Sequence, residues 1–288
     1  MSLVPYKRNP EEEKKILEEL LKEAPDNDDD FKGTGLMTKL ANGNYAFTSI
    51  QYQGQVIPVV ELSPEYLESG ANKTQADWAK FSKKDGWRAT DTEILYQCLF
   101  RAYSLRIDPK HQKTVQDFRE AFHKIFVPGK YICTLTKASY GKGLDAVISS
   151  VGPFPKTEQV TVPEFTRLDN QWCYLVLAQE QPENQPGKTS PLQPNALPIM
   201  KALLGKDYKQ AGPVFQYFSA LKNKNLREAR LWTPTSTNRN KERVVALGVS
   251  NDDGNFYINT SDDVDSNRPA LGVRRAKKSS TGSEGGMK

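Results

Sequence analysis

Few side chains in this sequence are of the kinds that do chemistry at short spacing. There are two histidines, His111 and His123, and three cysteines, Cys98, Cys133 and Cys173. The histidines are twelve residues apart, which excludes the i, i+4 pair of a helical zinc site. No GxSxG elbow accompanies them. A Ser-His-Asp set that converges only in space stays open on sequence order alone. The cysteines contain no CxxC pair, which argues against a disulfide framework and against a cysteine zinc site. Cys98 falls among Ile94, Leu95, Leu99 and Ala102 in a helical pattern and reads as a small core residue. Tyr140-Gly141-Lys142-Gly143 lacks the GxxxxGK[ST] pattern of a phosphate loop and reads as a hairpin turn. Asp262, Asp263 and Asp265 are oxygen donors of the type calcium takes, without the fuller ligand set such sites use. The residues thus point to no catalytic centre, no metal and no cofactor.

The elements that must position any site come from a chain of 288 residues, enough for one large domain or two small ones. Hydrophobic content of 37% with 26% charge fits a globular protein, and no apolar run approaches the roughly 20 residues of a membrane span. The N-terminus is charged and then acidic, with no apolar signal-peptide core. Of the net charge of +5, much sits in Arg274, Arg275, Lys277 and Lys278, a cluster that could touch phosphate but reads first as a solvated tail.

Asn9-Pro10-Glu11-Glu12 has the cap, the first-turn proline and the acidic residues of a helix start. Ile16, Leu17, Leu20, Leu21 and Ala24 then share one face, and Pro25 with the acidic run to Asp30 ends the helix. Tyr45–Tyr52 and Gln55–Leu62 flank Gln53-Gly54 as a tight hairpin, and Ser63-Pro64 predicts a short helix stopped by Gly70. Further helices are predicted from Thr74, carrying Trp78 and Phe81, and from Thr90, whose spacing to Glu93 is that of a capping box. Another begins at Thr114, with Phe118, Phe122 and Ile125 inward. Strands are predicted at Tyr131–Thr136, Ala146–Val151, Gln159–Val162 and Trp172–Ala178. A Pro-rich loop over Glu180–Pro194 and helical pieces at Ala196–Leu204 and Val214–Leu221 follow.

The C-terminal stretch Arg230–Arg275 differs in character. Arg243–Val249 and Asn255–Asn259 meet across Asn251-Asp252-Asp253-Gly254, a hairpin turn because Asp and Gly tolerate positive φ. Strand alternation predicts Phe256 and Ile258 inward and Asn255, Tyr257 and Asn259 outward. From Thr233 to Asn267, 20 of 35 residues are Asn, Asp, Ser, Thr or Tyr. That is the composition of an adaptable polar binding surface with an aromatic, and turn-rich loops share it.

Two separated segments and the chain's final strand carry a resemblance. Asp85-Gly86-Trp87-Arg88-Ala89-Thr90-Asp91-Thr92-Glu93 resembles the GWRLPT-x-x-E segment of C-type-lectin-like domains of the formylglycine-generating-enzyme type. Leu231-Trp232-Thr233-Pro234-Thr235-Ser236-Thr237 resembles their LWSST segment, and Arg268–Arg275 is similar to their final G-F/V-R strand. The resemblance implies an α+β chain with helices packed around a small antiparallel sheet and a ligand-facing C-terminal β-hairpin. The domain would span 31–278 after an N-terminal helix and acidic linker at 1–30, with an insertion at about 105–225 and a disordered tail at 279–288. No counterpart of the catalytic cysteines of those enzymes lies near the C-terminus, so their oxidase activity is not implied. Gln193-Pro194-Asn195 resembles the sugar-calcium tripeptide of animal lectins, but the companion Trp-Asn-Asp is absent.

Within that fold, a C-terminal hairpin so rich in Asn, Asp, Ser, Thr and Tyr resembles the variable region of diversity-generating retroelement variable proteins, and the N-terminal half is closer to their archaeal branch. In that family a reverse transcriptase mutates template adenines and rewrites the C-terminal coding segment, here 230–275. The resemblance implies a variable ligand-binding face of Ser236, Asn238, Asn240, Asn255, Tyr257, Asn259, Asp263 and Asp265. Trp87, Trp232, Phe256, Ile258, Leu271 and Val273 would be the fixed scaffold. It implies a non-enzymatic binder of a protein or glycan, on a partner cell or virus, acting at a cell surface or outside the cell. Two other classes stay open: an enzyme of the same fold, and a nucleic-acid binder using the Arg274–Lys278 cluster.

Overall fold

The computed structural model describes residues 37–81, 86–141, 145–152, 155–161, 173–178, 197–220, 229–233, 241–252 and 254–275. The N-terminal helix and acidic linker, the Pro-rich loop and the C-terminal tail lie outside them. The chain is α+β, with two sheets. The first has five strands in the order β1-β2-β3-β12-β4, where β1 is Met37–Lys39, β2 Tyr45–Tyr52, β3 Gln55–Tyr66, β4 Arg88–Ala89 and β12 Leu271–Arg275. The second has seven, in the order β7-β6-β5-β10-β11-β9-β8. Its members are β5 Tyr131–Tyr140, β6 Asp145–Ser150, β7 Lys156–Thr161, β8 Cys173–Ala178, β9 Ala229–Thr233, β10 Glu242–Val249 and β11 Phe256–Asp263. The small antiparallel sheet of the sequence reading is therefore replaced by two larger ones, and β9 runs parallel to β11.

Both predicted hairpins form. β2 and β3 pair from Tyr45↔Leu62 to Tyr52↔Gln55, with Gln53 (φ 50) and Gly54 (φ 72) both left-handed, as a type I′ turn requires. β10 and β11 close at Val249↔Phe256, and the Ser250 N–H donates to the Asn255 carbonyl at 2.9 Å. The helix predicted from Ser63 does not form. β3 instead continues to Tyr66, because Tyr66 pairs with Leu271 of β12, and a single 3-10 turn follows at Leu67–Gly70. A partner strand from the far end of the chain overrides the local helix signal.

Among the described residues five helices pack on these sheets: α1 Gln75–Lys80, α2 Thr92–Leu105, α3 Gln112–Ile125, α4 Leu197–Leu204 and α5 Ala211–Phe218. Thr74 caps α1 by accepting from the Asp77 N–H. The cap of α2 is Asp91, which accepts from the Ile94 N–H, one residue later than the predicted Thr90. In α2 every residue except Arg101 is buried, so it has no solvent face and runs through the core between β2, α4 and α5. Rings tie the layers together: Phe118 lies edge-on to Tyr45 at 4.8 Å, and Phe215 stacks on Phe256 at 4.2 Å. The stretch 105–225, read from sequence as an insertion, supplies β5 to β8 and α3 to α5, and β5 is bonded directly to β10. No described helix is long and apolar enough to cross a membrane.

Candidate functional site

β11 sits inside the seven-stranded sheet, between β10 and β9. Phe256 and Ile258 point into the main core, as alternation predicts. The opposite side of the strand is covered too. Asn255 is 0% exposed and Tyr257 only 3%, so neither stands on an open outer face, a correction to the sequence reading. The Tyr257 ring lies 5.3 Å from that of Trp232 on β9, and its hydroxyl accepts from Arg230 at 3.0 Å. Alternation separates two faces but does not say which face meets solvent. A parallel neighbour arriving from β9 decides that here.

The strand reaches the surface only at its far end. The pairing runs through Asn259↔Ala246 and resumes at Asp262↔Val244, so Thr260 and Ser261 oppose the single residue Val245 in a β-bulge. The extra residue reverses the alternation, and the Asn259 amide donates to the Asp262 carboxylate at 2.8 Å. Asp262 also accepts from Arg268 at 2.6 Å, and that guanidinium lies 5.0 Å from the centre of the Tyr131 ring. Asp263 forms an ion pair with Arg243 across the ladder while staying 70% exposed. Asp265 and the apolar Val264 are exposed in the turn beyond. Of the eight predicted ligand-facing residues, Asp263 and Asp265 are therefore exposed, while Asn259 is half-buried on the opposite face of the strand from Asp263. Ser236, Asn238 and Asn240 lie outside the described residues. The carboxylates of Asp262 and Asp263 turn to arginines, and among the described residues no group of three acidic, histidine or cysteine side chains gathers to hold a metal.

Most of the residues expected to form the scaffold lie in the interior. Phe256, Ile258, Leu271 and Val273 are fully buried, Trp87 is buried and Trp232 is half-buried. β12 pairs with β4 at Gly272↔Ala89 and Val273↔Arg88. A Cβ on Gly272 would meet Leu67 Cδ2 at 2.9 Å and Trp87 Cε3 at 3.0 Å, so a larger residue there must displace these two side chains. Arg274 donates to Glu61 at 2.8 Å and lies 4.8 Å from the Trp87 ring centre. It is thereby engaged in the fold and not presented with Arg275 as part of a basic patch.

The described cysteines and histidines are likewise engaged in structure. Cys98 and Cys133 are buried free thiols, and burial pushes Cys133 up to about 12 and Cys98 higher still. His111 Nδ1 lies 2.8 Å from Asp108 Oδ2, and His123 Nε2 lies 3.1 Å from the Tyr217 carbonyl oxygen.

Sequence reasoning missed a charged group beside the start of α2. Lys156 of β7 donates to Glu93 at 2.6 Å with both side chains 4% exposed, and it also donates to the Ala202 carbonyl at the end of α4. The partners are 63 residues apart, and no local pattern joins them. Close by, Asp91 is completely buried, with Oδ2 bonded to nothing among the described residues. Burial raises its carboxyl to about 7. The Ile94 N–H and Lys156 pull it down less strongly, and Glu93 adds to the rise.

No family model, curated protein or solved structure matches this chain.

Two measurements check these placements. Tyr257→Ala should cost about 3–5 kcal/mol in urea unfolding, as for a buried aromatic, whereas Asp265→Ala should stay within about 0.5 kcal/mol. Equal effects would contradict the assigned burial. Because folding raises the affinity of Asp91 for its proton, the native state holds that proton between roughly pH 4 and pH 7 while the unfolded chain has released it. The stabilisation is full below the unfolded value and is lost as pH rises through about 7. Asp91→Asn keeps a cap acceptor and should remove this fall; a fall of the same size in the variant would exclude Asp91 as its source.

Proposed function

We propose that this chain is a non-enzymatic binding protein on a C-type-lectin-like scaffold. In this reading the end of β11 and the turn after it present a recognition surface for a protein or glycan, and a retroelement diversifies that surface. The observation that carries the reading is the pairing of the first and last motif segments. The Gly86-Trp87-Arg88-Ala89 stretch and the Leu271-Gly272-Val273-Arg274 stretch pair with each other around Gly272. The Leu231-Trp232 stretch lies beside β11, pairing Leu231 with Ile258 and Trp232 with Asn259. Two of the three segments that resemble one domain type thus pair in the five-stranded sheet, and the third lies in the seven-stranded one beside the hairpin strand β11.

The division of labour supports the same reading. Phe256, Ile258, Leu271 and Val273 are buried, while Asp263 and Asp265 are exposed beyond the buried part of the hairpin. Substitution at an exposed position usually changes stability by less than about 0.5 kcal/mol. A surface of this kind tolerates variation that the buried strands do not.

The test is to sequence the genomic DNA around the gene. A near-copy of the segment encoding 230–275 should lie beside a reverse-transcriptase gene, with mismatches confined to template adenines. Mismatches should fall on the codons of Asn259, Asp263 and Asp265 and spare those of Phe256, Ile258, Leu271 and Val273. Absence of any such copy would overturn the diversification.

A further inference from the structure

The sequence holds two Asn-x-Ser/Thr tripeptides, Asn72-Lys73-Thr74 and Asn259-Thr260-Ser261, and the fold treats them in opposite ways. The asparagine of such a tripeptide is the acceptor of N-linked glycosylation, a bulky addition that requires a surface position. Asn259 lies inside the seven-stranded sheet, between Ala246 of β10 and Trp232 of β9. It is half-buried, and its amide nitrogen donates to Asp262 at 2.8 Å. The nitrogen that would carry a sugar is thus committed to the bulge. Asn72 is exposed, in the loop between the 3-10 turn Leu67–Gly70 and α1.

The residues around Asn72 hold it at the surface. Lys73 and Arg268 exchange main-chain hydrogen bonds, the Lys73 N–H reaching the Arg268 carbonyl at 3.2 Å and the Arg268 N–H the Lys73 carbonyl at 3.1 Å. The Lys73 ammonium lies over Trp78 and Phe81, 5.1 and 5.4 Å from their ring centres. Thr74 completes the tripeptide and caps α1. Its hydroxyl accepts from the Asp77 N–H at 3.2 Å and donates to the Asp77 carboxylate at 2.7 Å. α1 has only six residues, too few to be stable by itself, so unwinding its first turn releases that hydroxyl to a transferase.

We propose that Asn72 is a site of N-linked glycosylation and that its glycan flanks the recognition surface at the end of β11. The proposal rests on the surface role given above, because the sugar donor is a lipid-linked oligosaccharide that the chain must meet. Asn72 Nδ2 bonds to the anomeric carbon of that donor. The bond from this carbon to the lipid phosphate breaks, and the amide proton leaves with the phosphate. Direct contacts place the attachment point beside the surface. Lys73 is bridged to Arg268, and Arg268 donates to Asp262, next in the chain to the exposed Asp263.

The test is peptide mass spectrometry on the full chain purified from its own cells. Intact cells and their medium are first treated with a membrane-impermeant amine reagent. The peptide containing Asn72 should carry added mass in whole sugar residues, and the peptide containing Asn259 should carry none. Asn72→Gln should abolish the added mass. Thr74→Asn keeps a helix cap but breaks the tripeptide and should abolish it too, whereas Thr74→Ser keeps both and should retain it. A bare Asn72, or added mass that survives Thr74→Asn, would overturn the proposal. The labelling separates this from the surface role: a chain that is labelled but bare at Asn72 loses only the glycan, and an unlabelled, bare chain loses both.

Discussion

The two sheets are joined by a buried seam of hydrogen bonds, and the arrangement of the rest depends on it. The Leu135 N–H on β5 donates to the Thr90 carbonyl at 2.9 Å, and the Cys133 N–H donates to the Pro269 carbonyl at 2.8 Å. Around these, Thr92 and Thr134 share a hydroxyl contact at 2.8 Å, Thr134 reaches the Val245 carbonyl at 2.7 Å, and the Thr136 hydroxyl accepts from the Thr92 N–H. Gln75 of α1 donates to both the Thr134 and Thr136 carbonyls. An unmade bond at such a buried position costs about 1–3 kcal/mol. Apolar contact alone leaves sliding open; these bonds accept one register. The seam thereby sets β4 and β12 against β5, and through β5 it sets β10 and β11.

That placement determines how much of the C-terminal hairpin is available for recognition. With β5 on one side of β10 and β9 on the far side of β11, the hairpin is an interior element of the sheet. The bulge opposite Val245 ends the regular alternation, and beyond it polar side chains reach the surface. The accessible patch is consequently smaller than the hairpin and is ordered from below by Arg243 and Arg268, which engage Asp263 and Asp262.

Much of this was legible in the sequence wherever the signal is local. The Gln53-Gly54 turn, the Thr74 cap and the Phe118–Phe122–Ile125 face each follow from residues within a few positions of one another. What escaped depends on distant partners. Tyr66 is a strand residue because Leu271 pairs with it, and Tyr257 is buried because the sheet continues past β11. Asp91 rather than Thr90 caps α2, since Thr90 is already taken into the seam through its backbone. The Glu93–Lys156 pair joins a helix to a strand with no motif to announce it. The α+β class came from the resemblance and holds at that coarse level. The strand order was not, because β5 to β8 enter the sheet from a stretch that reads as an insertion.

The most direct test of a buried scaffold beneath a permissive polar patch is a saturation library over 229–275, sorted for folded protein by protease resistance. Tolerance of nearly every residue at 263 and 265, with strict selection at 255, 257, 272 and 273, is the predicted result. Uniform tolerance along β11, or intolerance at 263 and 265 matching that at 257, would contradict it.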